Sequence, residues 1–203
     1  MRVMEDAALL EAWRLGDTSA GDALITRNTE LLVGFFANKA SEAMDDLLQS
    51  TFLRCVENRD ALRDPSKFRS YLLTIAHREL LAYFRRRSRD RDLFAPDTTS
   101  VWDLDPSPST VAVEREEQRL LAEALRRVPL SFQVALELYY WQELTAPEIA
   151  EVLEVPEGTV RSRIRRGREL LLHQMQSLRS ADVRGRPSLD DLEQWARQLR
   201  GTP

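Results

Sequence analysis

Apolar residues recur along most of this chain at intervals of three and four, and no stretch alternates in the period-two manner of a half-buried strand. That periodicity restricts the fold to an all-α class. Leu9, Leu10, Trp13 and Leu15 open the chain on one stripe, which Gly16-Asp17 breaks. Further helices are predicted from about Ala20 to Ala37, from near Ala43 with Leu47, Leu48, Phe52 and Val56 inward, and from about Phe68 to Arg87. The last presents Phe68, Leu72, Ile75, Ala76, Leu80 and Tyr83. Between the third and fourth, Leu62 to Lys67 is a loop, because Pro65 cannot continue an interior helix and biases Asp64 toward extended backbone. Residues 1–90 therefore form one small helical domain. From Asp90 the period is lost: three prolines and five aspartates before Val113 read as a flexible acidic linker over 91–113. Helical pattern returns over 114–178, with breaks at Val128-Pro129, Glu143-Leu144 and Glu154-Pro156. The extension 179–203 carries a short amphipathic segment with Leu189, Leu192, Trp195, Ala196 and Leu199 on one side, expected to dock on one of the protein's own domains.

Within the second domain, Leu144 to Leu170 has the pattern of a helix-turn-helix. Thr145 and Glu148 have capping-box spacing, Pro147 sits in a first turn where its missing N–H costs nothing, and Ile149, Ala150 and Leu153 face inward. After the turn Glu154-Val155-Pro156, a second helix places Val160, Ile164, Gly167 and Leu171 within ~60° of one another, the side that must be buried. Ser162 and Arg165 then point almost directly away, with Arg161 and Arg168 flanking one edge and Arg163 and Arg166 the other. Five arginines fall between Arg161 and Arg168, and Glu169 is the sole acid between Arg161 and Leu172, so i,i+4 pairing does not account for the pattern. A cationic face with small hydroxyls, Thr159 and Ser162, suits a helix in the DNA major groove: arginine bonds guanine through two parallel bonds, and other arginines reach phosphates. The whole chain is acidic, at a formal charge of −4. A phosphate responds to charges within a Debye length, ~8 Å at physiological salt, so the local field decides.

Several classes are excluded. The chain holds two histidines, His77 and His173, no Gly-rich phosphate loop and no Cys/His cluster, so no catalytic site, cofactor or metal is expected. It has neither a signal-peptide pattern nor a run of eighteen apolar residues, and a cytoplasmic location without membrane insertion follows as the expectation. The single cysteine, Cys55, lies in a helical pattern and reads as core filling.

The stretch from Asp45 to Arg89 resembles domain two of bacterial RNA polymerase sigma factors of the extracytoplasmic-function group. The stretch from Val128 to Leu170 resembles their domain four. Both blocks in this order, joined by an acidic linker, carry the resemblance. It implies a non-enzymatic factor whose partners are core RNA polymerase and promoter DNA, with an anti-sigma protein left open. A helix-turn-helix regulator acting without polymerase core is the alternative.

What the resemblance implies at residue level is the following. The family's clamp-binding motif falls on Asp46, Leu47, Gln49 and Phe52, so the polymerase-binding set is Asp46, Gln49, Ser50 and Arg54, with Phe52 more a core residue. The family's base-capturing loop falls on Leu62–Lys67, which with the following helix gives a minus-ten set of Arg63, Asp64, Ser66, Lys67, Tyr71, His77, Arg78, Arg85 and Arg86. The minus-thirty-five set is Thr159, Arg161, Ser162, Arg163, Arg165, Arg166 and Arg168. Some positions depart from the family: Arg78 stands where asparagine is usual, Glu79 where an apolar residue is common, and Glu143 and Glu154 where the turns usually carry glycine.

Overall fold

The computed structural model describes residues 5–88, 94–105 and 116–178. Among these residues nine α-helices form: α1 (Asp6–Arg14), α2 (Thr18–Ala37), α3 (Met44–Glu57), α4 (Phe68–Arg87), α5 (Val101–Leu104), α6 (Glu116–Arg126), α7 (Leu130–Tyr140), α8 (Ala146–Leu153) and α9 (Glu157–Leu178). No β-strand occurs among them, only an isolated bridge between Ser100 and Pro129. The boundary between two compact units falls inside α4, between Ala82 and Tyr83. The extension 179–203 lies outside the described residues.

In the first unit, Gly16 takes a φ of +103° that favours glycine and separates α1 from α2. Asp17 then caps α2 by accepting from the Ala20 N–H at 3.2 Å. A Cβ on Gly21 would lie 2.6 Å from the indole nitrogen of Trp13, so glycine permits the close packing of α1 on α2. Leu9, Leu10, Trp13, Leu24, Leu32, Phe35 and Phe36 are buried, as are Phe68, Leu72, Leu73, Ala76 and Leu80 of α4. Leu15 is 89% exposed instead of completing the opening stripe. On α3 the buried line is Leu47, Thr51 and Cys55, while Leu48, Phe52 and Val56 are half-buried. Thr51 can be buried because its hydroxyl donates to the Leu47 carbonyl at 2.6 Å. Burial pushes the Cys55 thiol up to about 11, which fits its expected role as core filling.

The second unit begins with the last turn of α4, where Phe84 is buried and Tyr83 only half-buried, the reverse of the expected stripe. The linker expectation needs the larger correction. Residues 95–105 lie on this unit as a bound strap rather than a bare tether. Leu130 and Ser131 at the start of α7 donate backbone N–H groups to the carbonyls of Thr99 and Pro96, both at 2.9 Å. Ser100 and Asp103 cap α5 reciprocally, Val101 is fully buried, and the Arg127 guanidinium lies 4.2 Å from the Trp102 ring centre. Four residues are too few to show a helical period, so composition alone pointed to a tether. Behind the strap, α9 packs on α7 and α6. Gly167 makes that approach possible, since a Cβ there would sit 3.2 Å from the Leu136 side chain.

Candidate nucleic-acid interface

The helix-turn-helix forms where expected. The Glu148 carboxylate accepts from the backbone N–H and the hydroxyl of Thr145 at 2.7 and 2.6 Å, and Pro147 occupies the first turn. Glu154 ends α8 in the left-handed conformation, φ 55° and ψ 43°, and the next residue, Val155, donates back to the Ala150 carbonyl at 3.2 Å. Glu143 has the same sign of φ, 54°. Both positions therefore keep a backbone suited to glycine while carrying a branched-off acidic side chain. Pro156 accepts from the N–H groups of Thr159 and Val160 and opens α9.

The buried side of α9 consists of Val160, Ile164, Gly167, Leu171 and Met175, so the helix has the predicted rotation. Arg161, Ser162, Arg165 and Arg166 are exposed and Thr159 is half-buried. Arg161 bonds Glu157 at 2.8 Å and Arg165 bonds Glu169 at 3.4 Å, each one turn away. Helix-internal pairing thus contributes more than expected, because Glu157 lies just outside the stretch that holds a single acid. Such exposed pairs contribute roughly 0.3–0.5 kcal/mol each and yield to a phosphate. Arg166 pairs with no acid among the described residues. Two arginines leave the outer face. Arg163 is only 17% exposed, and its guanidinium bonds Asp97 of the strap at 3.0 Å. Arg168 is half-buried over the rings of Tyr139 and Tyr140, 5.4 and 5.3 Å from their centres. The angular position of Arg168 was legible, but the two aromatic faces beside it come from α7.

In the first unit, Asp46 and Gln49 are exposed on α3. Leu53, 56% exposed, lies one turn beyond Gln49 on the same side. Ser50 turns its hydroxyl back to the Leu47 carbonyl at 3.2 Å. Arg54 pairs with the buried Glu79 of α4, which explains how an acid occupies the inner stripe: the arginine neutralises it. Ser50 is half-buried and engaged within the unit, while Arg54 remains 59% exposed beside its pair with Glu79.

The loop before α4 contains a tight turn, Pro65–Lys67, capped by Asp64, whose carboxylate accepts from the Ser66 N–H at 3.0 Å and hydroxyl at 2.7 Å. Those two bonds hold the Asp64 carboxyl below its ordinary range. Asp64 and Ser66 thus satisfy each other, while Arg63 and Lys67 are exposed. On α4, Tyr71 is half-buried and donates to the Asn58 carbonyl at 3.1 Å; burial raises its phenol above the ordinary value. Arg78 is exposed two turns beyond Tyr71 on the same side, and His77 is half-buried. Arg85 and Arg86 are exposed at the end of α4.

Two family models match the chain: Sigma-70 region 2 over residues 24–90 and Sigma-70 region 4 over residues 118–171. The chain is similar to the ECF RNA polymerase sigma-E factor of Haemophilus influenzae, 28% identical over 185 residues, with 86% of this chain and 97% of that protein covered. It is similar to the RNA polymerase sigma-H factor of Pseudomonas aeruginosa, 29% identical over 186 residues, covering 86% and 95%. The chain belongs to the extracytoplasmic-function sigma factors. Two solved structures share its fold. CnrH in complex with the cytosolic domain of CnrY gives a TM-score of 0.61 at 21% identity, covering 86% of this chain and 99% of that one. The sigma factor RpoE from Bartonella quintana, in complex with the anti-sigma factor NepR, gives 0.57 at 18%, covering 80% and 99%. A stand-alone helix-turn-helix regulator, the alternative raised above, does not account for the region 2 match.

This sigma factor also contains contacts that sequence patterns did not reveal. Arg14, at the end of α1, donates to the carbonyls of Arg59 and Leu62, at 2.7 Å to the first, and so braces the approach to the Leu62–Lys67 loop. In sequence it is only a cation in a helix's last turn, indistinguishable from one that balances the helix dipole. Asp97 is likewise one aspartate among several in a Pro/Asp-rich stretch.

Proposed function

We propose that this sigma factor brings core RNA polymerase to promoters by a division of labour between its units. In this reading α9 lies in the major groove of the minus-thirty-five element, with Arg165 and Arg166 reaching base edges and Thr159, Arg161 and Ser162 positioned for phosphates or bases. The observation that carries it is the outer face of α9, where Arg161, Ser162, Arg165 and Arg166 are all exposed on a helix whose opposite side is fully packed. Asp46 and Gln49, with the exposed Leu53 between polar neighbours, form the face for core polymerase. The Leu62–Lys67 loop with Arg63 and Lys67, followed by Tyr71, His77, Arg78, Arg85 and Arg86 on α4, receives melted minus-ten DNA. Single-strand capture suits this combination of an aromatic ring, cations and a braced loop. An anti-sigma protein is a further partner, supported by the solved complexes of the two fold relatives with other proteins.

Promoters mapped from transcript 5′ ends after overexpression supply the duplex for a test. Replacing Arg165 or Arg166 with alanine should weaken holoenzyme binding to it by ~1–3 kcal/mol and relax preference at one base position. Arg168→Ala should instead lower the unfolding midpoint, by ~0.5–2 kcal/mol of lost cation–π contact, and leave base preference intact. Unchanged binding on removal of both Arg165 and Arg166 would show that another surface reads the duplex.

A further inference from the structure

Among the α9 arginines, Arg163 differs in where its partner comes from. Arg161 and Arg165 pair within the helix and stay 72% and 74% exposed, whereas Arg163 is tied to an acid 66 residues away in sequence. We propose that Asp97 is a built-in competitor for DNA phosphate, holding Arg163 out of the phosphate-binding set so that the strap 95–105 sets the DNA affinity of the second unit. The proposal rests on the reading that α9 faces DNA.

The acid is delivered by backbone rather than by its own pairing. Pro96, immediately before Asp97, accepts from the Ser131 N–H, and Thr99, two residues after it, accepts from the Leu130 N–H. Val101 anchors the same segment by full burial. The Asp97 carboxylate is itself 63% exposed and has no partner other than Arg163 among the described residues. It therefore does little for the fold, yet it places a negative charge beside the helix that phosphates would approach. A phosphate engaging Arg163 must displace this carboxylate, and until it does, the two anions repel within a Debye length. Anything that lifts the strap from α7 removes the acid and frees the guanidinium together.

The test uses the full chain and a fluorescein-labelled 20-base-pair duplex of random sequence, read by anisotropy over a salt series, because phosphate contacts are independent of sequence. Asp97→Asn should tighten binding about three- to tenfold at low salt and steepen the slope of log K against log salt by ~0.9, as one added phosphate contact does. In an Arg163→Ala background the same substitution should change neither quantity beyond a small residual. An equal gain with and without Arg163 would overturn the proposal, since Asp97 would then act by general repulsion. Weaker binding by Asp97→Asn would overturn it in the opposite sense, by making Asp97 a positioning residue for Arg163. If, in the Asp97→Asn chain, Arg163→Ala is silent while Arg165→Ala and Arg166→Ala weaken binding, the competitor role fails and the α9 reading stands. If all three are silent, the α9 reading fails and takes the proposal with it.

Discussion

Glu143 and Glu154 hold left-handed backbone that costs a side chain with a Cβ ~1–2 kcal/mol. Glycine returns part of that as chain entropy in the unfolded state, ~0.5–1 kcal/mol, so Glu154→Gly should stabilise the second unit by on the order of 1 kcal/mol. A urea unfolding midpoint measures it, and a destabilised Glu154→Gly protein would mean that the glutamate's own contacts outweigh the strain. The left-handed geometry was legible only through the family resemblance, whose turns usually carry glycine at these two positions. Pairing was less so. That Glu79 sits inward follows from its place on the α4 stripe; that Arg54 of α3 neutralises it requires the packing of two helices. Arg168 illustrates the same limit, since its azimuth on α9 is set by helix geometry and its tyrosine neighbours by α7.

At the scale of elements, the long helices α2, α4, α7 and α9 begin and end within a few residues of the periodicity, because each carries several turns of buried stripe. The strap escaped because its stabilising contacts are backbone bonds, one buried valine and one stacked tryptophan, none of which has a repeat. Exchanging residues 95–105 for a Gly/Ser segment of equal length removes the burial of Val101 and the contact between Trp102 and Arg127. Burying a valine is worth ~1.5–3 kcal/mol, so the second unit should unfold at a lower midpoint by about that amount. An unchanged thermal midpoint would return this segment to the status of a spacer. The strap also alters what the acidic linker means: Asp97, Asp103 and Asp105 have separate jobs, one on Arg163, one capping α5, and one accepting through its carbonyl from Arg126 at 2.9 Å.

For the whole molecule, an acidic chain exposes clustered arginines on the outer side of α9 and at the end of α4, while α3 exposes Asp46 and Gln49, the faces proposed for DNA and for core polymerase. Asp46→Arg should therefore weaken core polymerase binding about tenfold or more, ~1.4 kcal/mol, with helicity unchanged, because a reversed charge on an exposed face disturbs only a partner. The central claim is that α3 and α9 serve one event, with the first recruiting the enzyme that the second aims. Run-off transcription by core polymerase on a mapped promoter tests it most directly. Core alone should give no defined start, core with the wild-type chain should start at one position, and the Arg165→Ala/Arg166→Ala chain should lose that start while still assembling with core. Duplex binding by the wild-type chain without core, together with no defined start in its presence, would contradict the account.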